Sequence, residues 1–138
     1  MAHVSLPELS RDLRLLLLWG PVVAWAAAIY AVSSQSLPAS VGGIPDWMTH
    51  GAAYLVLCVF VCRALAGGIR ALPIRGVMLS VALSTLYGIG DEYHQSFVPE
   101  RQSEVADVAK DFLGAVVGGW LYSRVAPGGE LRREAGKE

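Results

Sequence analysis

The sequence predicts an all-α protein, a bundle of four transmembrane helices with a polar site at its extracytoplasmic end. Only 17% of its 138 residues are charged, whereas about 25% is usual for a soluble domain. The apolar residues are concentrated in four blocks that approach or reach the roughly 20 residues needed to cross a bilayer. One strongly polar stretch, residues 91–111, separates the last two blocks.

A single membrane domain is expected over residues 13–125, because a chain of 138 residues has the length of one domain. A polar lead of residues 1–12 precedes it, and a polar tail of residues 126–138 follows it. Both flanking segments are expected in the cytoplasm.

The first apolar run, Leu13–Val32, contains one charged residue, Arg14. A secretory signal peptide is the alternative interpretation, since Arg11 and Arg14 stand at the start of the run. The run is longer than the apolar part of a signal peptide, which has about 7–15 residues, and further apolar runs follow it. We therefore expect it to be the first helix of the bundle.

Three more helices are expected along the chain. A charge-free loop rich in Ser, Gly and Pro covers residues 33–45. Asp46 is then a candidate N-cap for a helix over residues 47–66. After a turn that contains Gly and Pro, a helix is expected over residues 74–90, and the fourth runs from residue 104 or 105 to residue 125.

The orientation is predicted by Lys and Arg, which collect on the cytoplasmic side of membrane proteins. Nine basic residues fall on one side of the predicted helices and two on the other. This asymmetry places both termini in the cytoplasm and the polar stretch outside it, in a multi-pass protein of the cytoplasmic (inner) membrane. The nine are Arg11, Arg14, Arg63, Arg70, Arg75, Arg124, Arg132, Arg133 and Lys137, and the two are Arg101 and Lys110.

Polar residues of the second helix are expected to join the polar stretch. Asp46, His50 and Tyr54 are spaced i, i+4 and i+8, so they share one helix face. On the fourth helix Asp107 and Asp111 share a face with Gly114 and Gly118, a pair of small residues that allows close helix approach. Those carboxylates should therefore face protein and not lipid.

Ionisable residues at membrane depth are costly and are by default candidates for function. Simpler roles remain open: Asp46 as a helix cap only, and Arg101 as the ion-pair partner of Asp107 or Asp111 only. The candidate catalytic residues are His50, Glu92 and Arg101, and the candidate ligand-binding residues are Asp46, Tyr54, Asp91, Gln95, Asp107 and Asp111.

The segments DWMTHGAAYLVL (46–57) and YGIGDEYHQSFVPERQSEVADVAKDFLGAVVGG (87–119) resemble the VanZ-like membrane protein family. That family has Asp, His and Tyr at four-residue intervals at the start of one helix. Later in the chain the family has Asp-Glu-x-x-Gln, then a Phe, a Pro and an Arg. An Asp six residues after that Arg and a Gly-rich helix complete the pattern. The matching residues are Asp46, His50, Tyr54, Asp91, Glu92, Gln95, Arg101, Asp107 and Gly114.

The chain departs from this pattern at two positions. Glu100 stands where the family usually has Gly, and Asp111 stands where it usually has Asn. The second change adds a carboxylate, which argues against any role that requires a neutral amide there and makes metal binding slightly easier.

The resemblance implies an integral membrane protein of the cell envelope, and the founding member is linked to resistance to the glycopeptide teicoplanin. The first functional expectation is an outward-facing polar site that binds an envelope lipid, a lipid-linked cell-wall precursor or a glycopeptide. Arg101 suits a phosphate or carboxylate group of such a ligand, because its guanidinium binds both in bidentate geometry.

The alternative is a membrane-embedded hydrolase or transferase acting on envelope lipids. His50 would be its general base, Glu92 a second acid or base, and Arg101 would stabilise anionic charge. No spacing is diagnostic of a metal, but a divalent ion on Asp91, Glu92, Asp107 and Asp111 is compatible with oxygen ligands.

A transporter is less favoured, because no apolar segment is broken at mid-depth. Without a basic patch interleaved with aromatic residues, no nucleic-acid partner is expected, and the sequence predicts no oligomeric state.

Overall fold

The computed structural model describes residues 10–35, 46–99 and 104–127, with all of their side chains except those of residues 46 and 47. Within these ranges the chain forms four α-helices and no strand, which confirms the all-α prediction. The helices are α1 (Arg11–Ser33), α2 (Asp46–Leu65), α3 (Ile74–Gln95) and α4 (Val105–Val125).

Helices α2, α3 and α4 pack against one another, and the α2–α4 interface is the most extensive of the three. Helix α1 lies against α2 and, more lightly, against α3; it does not contact α4 in the part of the chain that is described. Two hydrogen bonds to main-chain oxygens attach α1 at mid-height. Trp25 Nε1 donates to the oxygen of Ala53 at 2.9 Å, and the Tyr87 hydroxyl donates to that of Ala26 at 2.6 Å.

The bundle buries polar residues and exposes apolar ones. Leu16 of α1, Met78 of α3 and Leu113 of α4 are 68%, 65% and 61% exposed. Soluble monomers rarely expose contiguous apolar surface on this scale. The buried polar and charged residues are Ser33, Ser80, Ser84, Asp91, Glu92, Gln95, Asp107 and Asp111.

Two helical segments, Arg11–Ser33 and Met48–Leu65, are long and apolar enough to cross a membrane. The crossing of the membrane by α3 and α4, and the orientation of the bundle, stay predictions.

Glycines bring α2 and α4 into backbone contact, as the Gly114 and Gly118 pair predicts. A Cβ atom on Gly114 would overlap the carbonyl oxygen of Gly51, and one on Gly118 would overlap that of Leu55. Only residues without a side chain therefore fit at these two positions of α4.

Helix α3 is longer than the sequence pattern indicates. We expected its end near Gly90, but it continues to Gln95. Gln95 Nε2 donates to Oδ2 of Asp91, one turn earlier, at 3.1 Å. The last turn is thus helical although it is polar, and its polar side chains are buried in the bundle instead of lying in a loop.

The turn between α2 and α3 is held at one end of the bundle by α4. The hydroxyl of Tyr122 lies 2.8 Å from the carbonyl oxygen of Arg70 and 3.0 Å from that of Gly68. At the same end, Arg63 donates to the carbonyl oxygen of Leu17 at 3.1 Å. The Arg residues of the helix ends are therefore gathered on the side away from the buried carboxylates.

Candidate functional site

The buried polar residues of the opposite end come from all four helices and form one group, called here the polar cluster. Helix α1 contributes its last residue, α2 and α4 their first turns, and α3 its last turns. The members are Ser33, His50, Tyr54, Asp91, Glu92, Gln95, Asp107 and Asp111.

His50 and Asp111 join α2 to α4 at the centre of the cluster. His50 Nδ1 lies 3.0 Å from Oδ1 of Asp111, whose side chain is 1% exposed. Gly51 follows His50, and Gly114 follows Asp111 by three residues, so the backbone contact of the two glycines lies next to this pair. The small residues thus bring the imidazole and the carboxylate within hydrogen-bond distance.

Tyr54 and Gly88 complete the floor of the cluster. A Cβ atom on Gly88 would lie 2.9 Å from Oδ2 of Asp111 and 3.2 Å from Cε1 of Tyr54. The carboxylates of Asp111, Asp91 and Glu92 all interact electrostatically with Tyr54, which is fully buried. Helix α3 can approach this closely because residue 88 has no side chain.

Asp91 connects α3 to the end of α1. Its Oδ2 accepts a hydrogen bond from the Ser33 hydroxyl at 2.6 Å and one from Gln95 at 3.1 Å. One helical turn further along α3, the ring of His94 stacks on Tyr30 and lies 3.0 Å from the Ser34 hydroxyl. The C-terminal turn of α1 is therefore attached to α3 through polar side chains.

Glu92 and Asp107 face His50 from α3 and α4. A ring nitrogen of His50 and one carboxylate oxygen of each acid lie within 4.8 Å of one another. Glu92 Oε2 also accepts a hydrogen bond from the backbone N–H of Glu104 at 3.2 Å, just before α4 begins. Lys110, one turn into α4, forms an ion pair with Oδ1 of Asp107.

A groove of about 460 Å³ opens beside the cluster, between α1 and α3. It follows one face of α3 from Leu83 to His94, a distance of about 16 Å at the rise of an α-helix. Its walls are apolar except at one end. The residues that line it are Tyr30, Leu83, Leu86, Tyr87, Gly90, Asp91 and His94.

The sequence profile of the VanZ/LLP1 family matches residues 23–126, which is more than half of the chain. The chain belongs to the VanZ/LLP1 family. The matched range includes the end of α1, all of α2, α3 and α4, and every residue of the polar cluster. No curated protein and no solved structure matches the chain.

Most of the predicted site residues come together in this VanZ/LLP1 protein. His50, Tyr54, Asp91, Glu92, Gln95, Asp107 and Asp111 all belong to the polar cluster. Asp46 is the first residue of α2, but its side chain lies outside the described residues, as does the whole of Arg101. Of the three predicted catalytic residues, the structure therefore describes His50 and Glu92 but not Arg101.

The set of metal-ligating candidates differs from the four carboxylates considered from the sequence. Among the described residues, the group whose ligand atoms are close enough to share an ion contains His50, Glu92 and Asp107. Asp91 is instead bound by Ser33 and Gln95, and Asp111 by His50.

The sequence does not predict that α1 contributes a residue to the polar cluster. The sequence predicts Ser33 in the loop after the first apolar run, yet it is the last residue of α1 and is buried against Asp91. Tyr30 and Ser34 lie on the same turn; the sequence predicts Tyr30 in the apolar span and Ser34 in the loop. Their hydroxyls at the end of an apolar run are a signal for helix–helix hydrogen bonds in membranes.

Proposed function

We propose that this VanZ/LLP1 protein is a four-pass protein of the cytoplasmic membrane that binds an envelope lipid at the polar cluster. The apolar side chains exposed on all four helices support four membrane crossings. The basic residues at the other end of the bundle support a cytoplasmic location for both termini. The polar cluster then opens at the outer face of the membrane.

The observation that carries lipid binding is the groove between α1 and α3. Leu83 and Leu86 line its apolar part, which suits an acyl or polyprenyl chain, and Asp91 and His94 lie at its polar end. Ligand sites are typically apolar clefts with a few placed polar groups. This combination supports a ligand that is itself a chain with a polar head.

The head group would lie at the side chains that close the groove. His94 and Asp91 offer a hydrogen-bonding imidazole and a carboxylate there, and both also contact the C-terminal turn of α1. Arg101 is, from the sequence, a further candidate to bind a phosphate. The phosphate of a lipid or of a lipid-linked cell-wall precursor would accept hydrogen bonds from His94 and Arg101, and hydroxyl or amine groups of the head would donate to Asp91. A glycopeptide that recognises the precursor would compete for it.

Gly90→Leu tests this proposal, because Gly90 lines the groove and a Cβ atom there meets no other atom within 4 Å. The new side chain fills the groove without straining the bundle. We expect at least about tenfold weaker retention of phosphatidylethanolamine, phosphatidylglycerol or a lipid-linked precursor, a loss of about 1.4 kcal/mol. Native mass spectrometry of the purified protein during lipid titration measures this.

Gly20→Leu is the matched control, since Gly20 of α1 also has open space around a Cβ atom and does not line the groove. It should retain lipid like the unsubstituted protein. Equal retention of lipid by both variants would contradict binding in the groove. Unchanged affinity for the precursor in Arg101→Ala would contradict the phosphate contact, and no competition by teicoplanin would contradict a glycopeptide role.

A second function, hydrolysis or transfer on an envelope lipid, is favoured by the His50 and Asp111 pair. A carboxylate on Nδ1 orients an imidazole and stabilises its charged form, which is the arrangement of a general base. Glu92 and Asp107 lie within 4.8 Å of His50 ligand atoms and supply a second acid or base.

Lipid profiling after incubation of the protein in liposomes with envelope lipids tests this reaction. His50→Asn and Glu92→Gln should each abolish product formation while lipid retention persists. Product that forms equally with both variants would contradict acid–base chemistry at this site, and absence of product with the unsubstituted protein leaves lipid binding as the function.

A further inference from the structure

We propose that the polar cluster holds one divalent transition-metal ion, ligated by His50, Glu92 and Asp107, with Asp111 orienting the imidazole. The three ligands come from α2, α3 and α4, so the ion would connect the three helices that form the core of the bundle. This proposal does not rest on lipid binding, and it is tested without lipid.

The distances among the three ligand atoms carry the proposal. They lie within 4.8 Å of one another. Two ligands of one zinc ion, each about 2.0–2.2 Å from it, are at most about 4.4 Å apart. The spacing of the three atoms is therefore close to that of ligands around one ion.

Asp111 gives His50 the orientation of a metal ligand. Because Nδ1 lies 3.0 Å from Asp111, a metal ion would bind His50 through Nε2. Histidines that bind metals almost always donate their other ring N–H to a carboxylate or carbonyl oxygen. A buried carboxylate at this place has a direct purpose in a metal site, because it sets the tautomer and raises the basicity of the ligand.

Buried polar atoms beside the three ligands point to a bound polar species. The Tyr54 hydroxyl and Oδ1 of Asp91 are buried and have no hydrogen-bond partner among the residues described. Buried polar groups in proteins are nearly always satisfied. The Tyr54 ring and the Asp111 carboxylate both lie against Gly88, so this unsatisfied hydroxyl belongs to a side chain next to the carboxylate that orients His50.

Lys110 competes with a metal ion for Asp107, and the two cysteines are alternative ligands for zinc. Lys110 contacts Oδ1 of Asp107, but a carboxylate has two oxygens, and a metal on Oδ2 is compatible with that ion pair. Cys58 and Cys62 are buried free thiols two and three turns further along α2 than His50. Thiolates also bind zinc, so the test has to separate them from the proposed ligands.

The ligand set favours a transition metal over Mg²⁺ or Ca²⁺. Imidazole suits Zn²⁺, Fe²⁺ and Ni²⁺, whereas Mg²⁺ and Ca²⁺ take oxygen ligands. Three protein ligands leave a position open, which is the arrangement of catalytic zinc sites. We therefore use Zn²⁺ as the probe for affinity and Co²⁺ as the probe for geometry.

The experiment uses the full chain, purified in detergent without an affinity tag and stripped with a chelator. Titration with ZnCl₂, followed by calorimetry and elemental analysis, should show one equivalent bound, and MgCl₂ should not compete. His50→Ala, Glu92→Gln and Asp107→Asn should each remove this binding. Asp111→Asn should retain the stoichiometry with affinity lowered about 10–100-fold.

Three variants serve as controls. Glu104→Gln changes an exposed carboxylate next to the site, and His94→Ala removes an imidazole that belongs to the groove. Cys58→Ala with Cys62→Ala removes the thiols. All three should bind one equivalent of Zn²⁺ with unchanged affinity, and His94→Ala should weaken lipid retention only.

The Co²⁺ spectrum keeps the proposal testable if a ligand variant unfolds. The unsubstituted protein should give the visible bands of a four- or five-coordinate Co²⁺ ion without the charge-transfer band of a thiolate. A thiolate band, failure to bind one equivalent of Zn²⁺, or loss of binding in the cysteine variant would overturn the proposal. So would full binding by folded His50→Ala.

Discussion

His50 Nδ1 and Asp111 Oδ1 lie 3.0 Å apart although the two residues are 61 positions apart in the chain. The pair lies beside the close backbone contact of α2 and α4 at Gly51 and Gly114. It therefore links the packing of the bundle to the chemistry of the polar cluster. Substitution of either residue should therefore change both the stability of the bundle and the chemistry of the polar cluster.

The first prediction concerns the strength of this pair. In a double-mutant cycle with His50→Ala and Asp111→Ala, we expect a coupling free energy of about 0.5–3 kcal/mol. His50→Ala leaves the carboxylate of Asp111 buried without this contact, which costs more than removal of both side chains. Unfolding of the purified protein by a denaturing detergent measures the four free energies.

Ser34 and His94 are the comparison pair for this cycle, because they also lie 3.0 Å apart but their hydrogen bond is exposed. Water competes for exposed groups, so their coupling should be the smaller one. Equal coupling in the two pairs would show that burial of Asp111 does not strengthen its contact with His50.

The second prediction concerns the attachment of α1. Ser33→Ala removes the hydroxyl that donates to the buried carboxylate of Asp91. A hydrogen bond to a charged group contributes about 1.5–3 kcal/mol, and we expect a loss of stability in that range. Ser34→Ala, one residue further on and exposed, should change stability by less than about 0.5 kcal/mol. Thermal unfolding in detergent distinguishes the two.

The third prediction concerns the glycine contact of α2 with α4. Alanine is preferred to glycine in helices by about 1 kcal/mol, yet Gly114→Ala should destabilise the bundle by about 1–3 kcal/mol or more. The added methyl group overlaps the backbone of Gly51, which cannot rotate away. Gly20→Ala has open space and should be neutral or stabilising. Stability equal to that of the unsubstituted protein for Gly114→Ala would mean that the helices are further apart.

The fourth prediction concerns orientation in the membrane. Alkaline phosphatase fused after Pro99 should be active, because that enzyme requires an extracytoplasmic location. Green fluorescent protein fused after Pro127 should fluoresce, because it folds in the cytoplasm. Loss of both signals would contradict the orientation inferred from the basic residues, and a signal from only one of the two reporters would contradict a crossing by α4.

The helices could be predicted closely because apolar block length decides them. The starts of the last two helices agree with the structure, and their ends are set by Gly, Pro and charge. The exception is α3, whose last turn was expected in the polar stretch. A polar sequence does not reveal whether its side chains will find partners inside the bundle, and here Asp91, Glu92 and Gln95 do.

Helical spacing also indicated which residues of each helix face the site. His50 with Tyr54, and Asp107 with Asp111, lie on inward faces as their four-residue intervals predict. The residue that α1 contributes to the polar cluster could not be predicted from helical spacing. Its span is apolar almost all round, so no periodicity showed that Ser33 would be buried against Asp91.

By itself, then, the sequence determined the all-α class, the family, and the list of polar residues that need partners, because these depend on composition and on spacing along single helices. The tertiary structure decided which of those residues meet. On charge alone, Lys110 could have paired with either Asp107 or Asp111. It contacts Asp107, and Asp111 contacts His50, because glycines at positions 51, 88 and 114 allow α2, α3 and α4 to approach closely enough to enclose it.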